Sequence, residues 1–85
     1  MSRVVVYSSR PCSFCERAKS LLRARGITFD DVDLAGDAEA RAALQARTGW
    51  MTVPQIFIDG EFIGGYEQLA ALDRAGELDR VSLQC

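Results

Sequence analysis

Cys12-Ser13-Phe14-Cys15 is the segment of this chain whose residue types and spacing can do chemistry. A disulfide needs its sulfur atoms about 2.05 Å apart. Residues three apart in the first turn of a helix share a face, so two thiols placed there can join and part with little backbone motion. The residues that follow have the required period. Cys15, Ala18, Leu21 and Leu22 recur at spacings of three and four, with Glu16, Arg17, Lys19, Ser20 and Arg23 on the opposite side, which predicts an amphipathic helix over Cys12–Arg25. The start of a helix offers unpaired N–H groups and the positive end of the dipole, and so favours an anion. Cys12, at the very end, gains most and is expected to be the low-pKa thiolate. Arg10, two residues earlier, adds positive potential. Cys15, one turn in, is expected to be more buried and less acidic. Cys12 then attacks and Cys15 resolves.

Three duller explanations compete with redox chemistry. A closed zinc site needs four ligands, and the chain has three cysteines and no histidine. Two core cysteines brought together by chance fit helical spacing, but a pair at a helix start after a strand and loop is the redox arrangement. A permanent structural disulfide here would close a tiny loop and stabilise little. The missing histidine also removes imidazole as base, shuttle or ligand, so the nucleophile must be activated by its position.

The elements that hold this pair follow from pattern and punctuation. Val4 to Tyr7 is β-branched and aromatic and predicts a short buried strand, with a loop from Ser8 to Pro11. Gly26 caps the first helix, where Arg23 and Arg25 suit its negative end. Ile27 to Leu34, with Ile27, Phe29, Val32 and Leu34 apolar, predicts a second strand. Asp37 opens an alanine-rich helix to about Thr48, with Ala40, Ala43 and Leu44 inward and Gly49 ending it. Val53 to Ile58 is a third strand. Asp59-Gly60 is a two-residue hairpin turn, and Glu61 to Gly64 is its partner strand. Tyr66 to Ala75 is a last helix, closed by Gly76, and Leu78 to Cys85 a short tail. The order β-α-β-α-β-β-α makes the first two strands parallel and the last two antiparallel. It gives an α/β domain, a four-stranded mixed sheet flanked by three or more helices, with helices on both faces. Eighty-five residues, 48% of them apolar, suffice for one such domain over residues 1–85.

Two segments join the cysteine pair downstream: Thr52-Val53-Pro54-Gln55-Ile56-Phe57-Ile58, about forty residues on, and Gly64-Gly65-Tyr66-Glu67. Together and in this order they resemble the glutaredoxin family, from Val4 to about Leu83. The resemblance implies a thioredoxin-like fold and a glutathione-dependent thiol–disulfide oxidoreductase working through Cys12 and Cys15. It implies that Pro54 follows a cis peptide bond and faces the cysteines, leaving the Val53 backbone to pair with an extended substrate beside Thr52. Gly64 and Gly65 permit close backbone approach. Tyr66 and Glu67 start a helix whose N–H groups suit a carboxylate. Glu67 either receives the γ-glutamyl ammonium of glutathione or is an ordinary acidic residue of a first turn. Arg41 matches a family position that reaches the glycine carboxylate; its alternative is a solvated surface arginine. Phe14 packs beside the bound tripeptide or is a surface aromatic. Trp50 rims the groove or packs on a helix end. Cys85 has no catalytic role.

The chain departs from the family in three places. The common motif reads Cys-Pro-Tyr-Cys; here Ser13 and Phe14 stand at the middle positions. Serine frees φ and restores an N–H near the thiolate. Many members carry a lysine three residues before the first cysteine, where this chain has Ser9. Some members with serine after the first cysteine hold a [2Fe–2S] cluster between two subunits, with Cys12 as the chain's ligand and two glutathiones completing four thiolates. That raises the alternative of a dimeric cluster carrier or redox sensor. A redoxin served by thioredoxin reductase is disfavoured, since such proteins end in a Trp-Ser-Gly-Phe-Arg-type segment. The expected partners are glutathione and disulfide-bonded or glutathionylated proteins, bound by a monomer. Ten basic residues scattered among twelve acidic ones, for a net charge of −2, argue against nucleic acid. Val4-Val5-Val6-Tyr7 is too short for a membrane span or signal core. A reducing, cytoplasmic setting is expected from the three cysteines with one close pair.

Overall fold

The computed structural model describes residues 3–10 and 12–78; Pro11 and the tail with Cys85 lie outside them. The elements are β1 (Val4–Ser8), α1 (Ser13–Ala24), β2 (Asp30–Asp33), α2 (Ala38–Thr48), β3 (Gln55–Ile58), β4 (Glu61–Gly64) and α3 (Tyr66–Arg74). The sheet runs β2-β1-β3-β4, with β1 parallel to β2 and antiparallel to β3, and β3 antiparallel to β4. This is the expected thioredoxin-like α/β fold with its mixed sheet.

Alternation along β1 divides the core. Val4 and Val6 face one side, where they meet Ala18 and Leu22 of α1, Ile56, Leu69 of α3 and Leu78. Val5 and Tyr7 face the other, packed with Leu34, Leu44 of α2, Phe57 and Phe62. Arg25 and Asp73 join α1 to α3 through two hydrogen bonds of 2.7 and 2.9 Å, and the Arg25 guanidinium holds the Asp73 carboxyl below its ordinary range. The hairpin turn is as the sequence predicts: Asp59 and Gly60 both have positive φ, 53° and 81°, the signature of a primed turn.

Four expectations need correction. The second strand covers only Asp30–Asp33, and all four residues are exposed, while Ile27 and Leu34 lie buried on either side of it. As a sheet edge it carries charge instead of apolar side chains: Asp30 pairs with Arg3, Asp31 with Lys19 and Asp33 with Arg10, a composition that discourages edge-to-edge association. Ala43 is exposed on α2, where Leu44 alone is fully buried; alanine presents too little surface to fix which side of such a helix turns inward. Leu78 does not open a tail but sits in the core, 1% exposed.

The fourth correction concerns Lys19. Its place on the polar side of the helical pattern predicts exposure, yet it is buried. Its ammonium lies 2.8 Å from Asp31 and 3.5 Å from Glu16. Asp31 also accepts a 2.9 Å hydrogen bond from the Ser8 hydroxyl. The bond to Asp31 raises the Lys19 pKa above 10.5, against the opposing effect of burial. Burial pushes the Asp31 carboxyl up, but the hydrogen bonds from Lys19 and Ser8 outweigh it and hold the group below 3.8. A carboxyl lowered on folding stabilises the native state above its unfolded pKa and loses that contribution as pH falls through the folded value. A lysine raised on folding contributes fully below 10.5 and loses its share above. Urea unfolding of Asp31→Asn is therefore expected to show lower stability than wild type at pH 6, with the difference closing as the pH falls below about 4. A constant difference down to pH 2 would refute the assignment.

Candidate active site

The end of β1 delivers the chain to the start of α1, and Cys12 is the N-cap of that helix, with extended backbone at φ −156° and ψ 103°. Its sulfur takes the part that a serine or aspartate oxygen usually fills at this position. It accepts a 3.1 Å hydrogen bond from the Cys15 backbone N–H. A donor fixed by the helix, at the positive end of its dipole, lowers the energy of a thiolate there. Cys12 and Cys15 are joined as a disulfide, with Cα atoms 5.3 Å apart. The two sulfurs differ as expected: Cys12 is half-buried and Cys15 is 1% exposed.

The Val53–Pro54 peptide bond is cis. It turns the 50s loop towards α1, so that the Val53 carbonyl oxygen lies 3.7 Å from the Cys12 sulfur. No backbone–backbone hydrogen bond involves Val53 among the described residues. The expected strand at Val53 begins instead at Gln55, because the cis bend takes Val53 and Pro54 out of the ladder.

Beside the sulfur runs a groove of about 210 Å³. Phe14 forms one wall, Trp50, Thr52, Val53 and Pro54 another, and Gly65, Tyr66, Glu67 and Gln68 at the start of α3 a third. Three stretches far apart in sequence thus meet, and seven of the predicted binding residues line this one groove: Phe14, Thr52, Val53, Pro54, Gly65, Tyr66 and Glu67. Phe14 is 49% exposed, with its ring 6.1 Å from that of Tyr66 and the Arg17 guanidinium over it at 5.4 Å. Trp50 rims the groove and also packs edge-on to Phe62, centroids 5.2 Å apart, so the ring it meets belongs to strand β4 and not to a helix end.

Two predicted residues stand outside the groove. Arg10 borders the surface next to Cys12, Ser13 and Glu16, but its guanidinium is 2.9 Å from Asp33. Arg41, near the start of α2, donates a hydrogen bond to the Ser9 hydroxyl.

The family model named Glutaredoxin matches residues 4–63. Glutaredoxin 3 of Escherichia coli K12 is 44% identical over 79 residues, which span 93% of this chain and 95% of the relative. The chain belongs to the glutaredoxin family. Among solved structures, the buckwheat glutaredoxin–glutathione complex superposes with a TM-score of 0.85 at 34% identity, covering 99% of this chain and 79% of that one. Wheat glutaredoxin gives 0.88 at 35% identity, covering 96% and 80%. The chain is accordingly a glutaredoxin-family redox protein with a Cys12–Cys15 disulfide. Among the described residues no helix is long and apolar enough to cross a membrane.

Two supporting glutamines went unassigned in the sequence. Gln55 is buried, and its amide nitrogen donates to the carbonyls of Trp50 and Thr52, each at 3.0 Å. Its oxygen accepts from the Thr48 hydroxyl at 2.8 Å. One side chain thereby fixes the loop that carries half the groove. Gln68 accepts from the Gly65 N–H at 2.9 Å and holds the turn into α3. The signal for Gln55 was a polar residue amid Ile56, Phe57 and Ile58, where only a satisfied amide is tolerated. Gln55→Leu is expected to cost about 1–2 kcal/mol in urea unfolding, because water reaches the loop carbonyls and replaces part of what is lost. The KM for glutathione mixed disulfides should rise more than kcat falls, as the loop loosens.

A [2Fe–2S] cluster takes four thiolates, and no group of three or more metal-binding side chains occurs among the described residues; of the motif cysteines only Cys12 is accessible, since Cys15 is buried, so one chain would give a shared cluster a single ligand.

Proposed function

We propose that the protein is a glutathione-dependent thiol–disulfide oxidoreductase that reduces protein disulfides and glutathione mixed disulfides. The observation that carries the reading is the Cys12 sulfur at the α1 N-cap, with the Cys15 N–H aimed at it from 3.1 Å, beside a groove where Val53 makes no backbone–backbone hydrogen bond among the described residues. The glutathione complex of the buckwheat neighbour supports glutathione as the ligand of this groove.

The reduced Cys12 thiolate attacks one sulfur of a substrate disulfide. A Cys12–sulfur bond forms, and the other substrate sulfur leaves as thiolate and takes up a proton. In the dithiol route the Cys15 thiol loses its proton and attacks Cys12, releasing the second substrate thiol and closing the Cys12–Cys15 bond. In the monothiol route the mixed disulfide is with glutathione, and a second glutathione thiolate attacks it, giving glutathione disulfide and free Cys12. The attacking sulfur is already ionised, so no general base is needed. Glutaredoxin potentials of about −200 to −230 mV lie near the glutathione poise found by extraction, so the couple can run either way.

The Val53 N–H and C=O are placed to pair with the extended backbone of the tripeptide. Glu67 and the first N–H groups of α3 meet its γ-glutamyl end, and Arg41 its glycine carboxylate. Phe14 and Tyr66 flank it. In this reading the protein acts as a monomer in the cytoplasm. No observation favours the cluster carrier or the reductase-coupled redoxin.

The test is turnover of a glutathione mixed disulfide with glutathione, glutathione reductase and NADPH. NADPH oxidation dependent on both protein and glutathione is expected. Activity only with thioredoxin reductase, glutathione omitted, would overturn the reading.

A further inference from the structure

We propose that Arg41, held on Ser9, is the side-chain cation that stabilises the Cys12 thiolate, and that Arg10, the nearer arginine in sequence, is not. The proposal deepens the oxidoreductase reading and rests on it for the role of Cys12.

The charged groups around Cys12 come from four elements. Arg10 precedes it and Glu16 lies on the same surface of α1. Asp33 ends β2 and Glu67 stands in the groove at the start of α3. Arg17 stacks over Phe14 on α1, and Arg41 reaches in from α2. Three of these charges, Arg10, Asp33 and Glu16, are cancelled in ion pairs. Arg10 is bound to Asp33 at 2.9 Å, and Glu16 is 3.5 Å from the Lys19 ammonium. Arg17, on the Phe14 ring, and Arg41 both have neutral partners, and of the two it is Arg41 that is held on the segment leading into Cys12. Its guanidinium donates to the Ser9 hydroxyl and has no carboxylate within ion-pairing distance among the described residues.

The anchor is itself rigid. Ser8 ends β1 and Ser9 follows it, and their hydroxyls are bound by different elements. Ser8 is buried and bound to Asp31 on the α1 side; Ser9 is 7% exposed and bound to Arg41 on the α2 side. The segment entering the cysteine motif is thus held at both serines. Ser9 and Cys12 are three residues apart, so their Cα atoms lie within about 11 Å of each other. That bounds how far the Ser9 anchor lies from Cys12, and it is of the order of the screening length at 0.1 M salt, so a charge held on that anchor is screened only in part. Ser9 uses its hydroxyl to hold a cation supplied by another element.

The experiment is the rate of Cys12 alkylation by iodoacetamide against pH, on fully reduced protein without glutathione. The reagent is neutral, so the midpoint reports the thiolate alone. Arg41→Gln should move the midpoint up by at least about half a pH unit, a threefold loss of thiolate on the acid side, and the shift should shrink at 0.5 M salt. Arg10→Gln and Arg17→Gln should each move it by less than half as much. Adding Ser9→Lys to Arg41→Gln, which puts an ammonium directly beside the motif, should restore most of the loss. An Arg41→Gln shift under threefold, an equal shift from Arg10→Gln, or no rescue by Ser9→Lys overturns the proposal. Because glutathione is absent, these outcomes stand apart from the turnover assay: either reading can fail while the other survives.

Discussion

Cys12→Ser is expected to abolish every thiol-transfer activity of the protein, while Cys15→Ser keeps turnover of glutathione mixed disulfides and loses reduction of protein disulfides. The asymmetry follows from where α1 begins. Cys12 is the cap residue, half-buried, with a backbone donor on its sulfur. Serine can keep that hydrogen bond but is not ionised near neutral pH, so the loss should be on the order of a thousandfold or more. Cys15 is one turn into the helix and buried. It reaches one electrophile only, the Cys12 sulfur when a substrate is attached. Removing it leaves the monothiol route intact, within about threefold of wild type, because glutathione supplies the second attack. The cost in stability should be modest, about 1 kcal/mol, as a hydroxyl replaces a thiol in an apolar setting. Parallel assays with a glutathione mixed disulfide and a protein disulfide separate the two routes. Retained activity in Cys12→Ser with loss in Cys15→Ser would reverse the assignment.

The parts of this site legible in the sequence are those set by local period or by backbone type. The helical recurrence after Cys12 fixes which cysteine is outermost, and Asp59-Gly60 announces its own turn. Gly64-Gly65 ahead of Tyr66 marks a helix start that another segment approaches. The parts not legible depend on partners far away in sequence. Lys19 reads as solvent-facing because its partner, Asp31, is on another element. Ser9 reads as a loop residue because the cation it holds lies 32 positions on. Gln55 reads as a lapse in an apolar strand until its loop carbonyls are seen. The exposed β2 has a related cause. Its apolar neighbours Ile27, Phe29 and Leu34 suggest a longer strand, but two of the three serve the chain's passage through the core, at 2% exposure each for Ile27 and Leu34. Periodicity reports the environment of a side chain, and for short edge segments that environment is fixed elsewhere.

The adjacent glycines 64 and 65 should respond differently to alanine, and the first should cause the larger loss of stability. Gly64 has φ +117°, a region that side chains other than hydrogen rarely enter. A Cβ there would also fall 2.7 Å from Cγ and 2.9 Å from Cδ of Gln68. Gln68 can yield only by giving up its 2.9 Å bond to the Gly65 N–H, which frees the turn into α3. Backbone strain of about 1–3 kcal/mol and a lost hydrogen bond of about 1 kcal/mol together put Gly64→Ala at roughly 2–4 kcal/mol. For a chain of this size that lowers Tm by roughly 10–30 °C. Gly65 has ordinary extended backbone, φ −107°, and its constraint is space. A Cβ would stand 3.1 Å from the Pro54 carbonyl oxygen and 3.4 Å from the Trp50 ring, both on the far wall of the groove. Gly65→Ala should therefore cost less than about 1 kcal/mol yet raise the KM for glutathione substrates several-fold by pushing the Pro54 side of the groove outward. Thermal unfolding and steady-state kinetics on the two variants test the pair. If Gly65→Ala were the less stable variant, or Gly64→Ala kept wild-type Tm, the reading of the turn would be wrong. If Gly65→Ala left the KM unchanged, the groove would not be where the tripeptide lies.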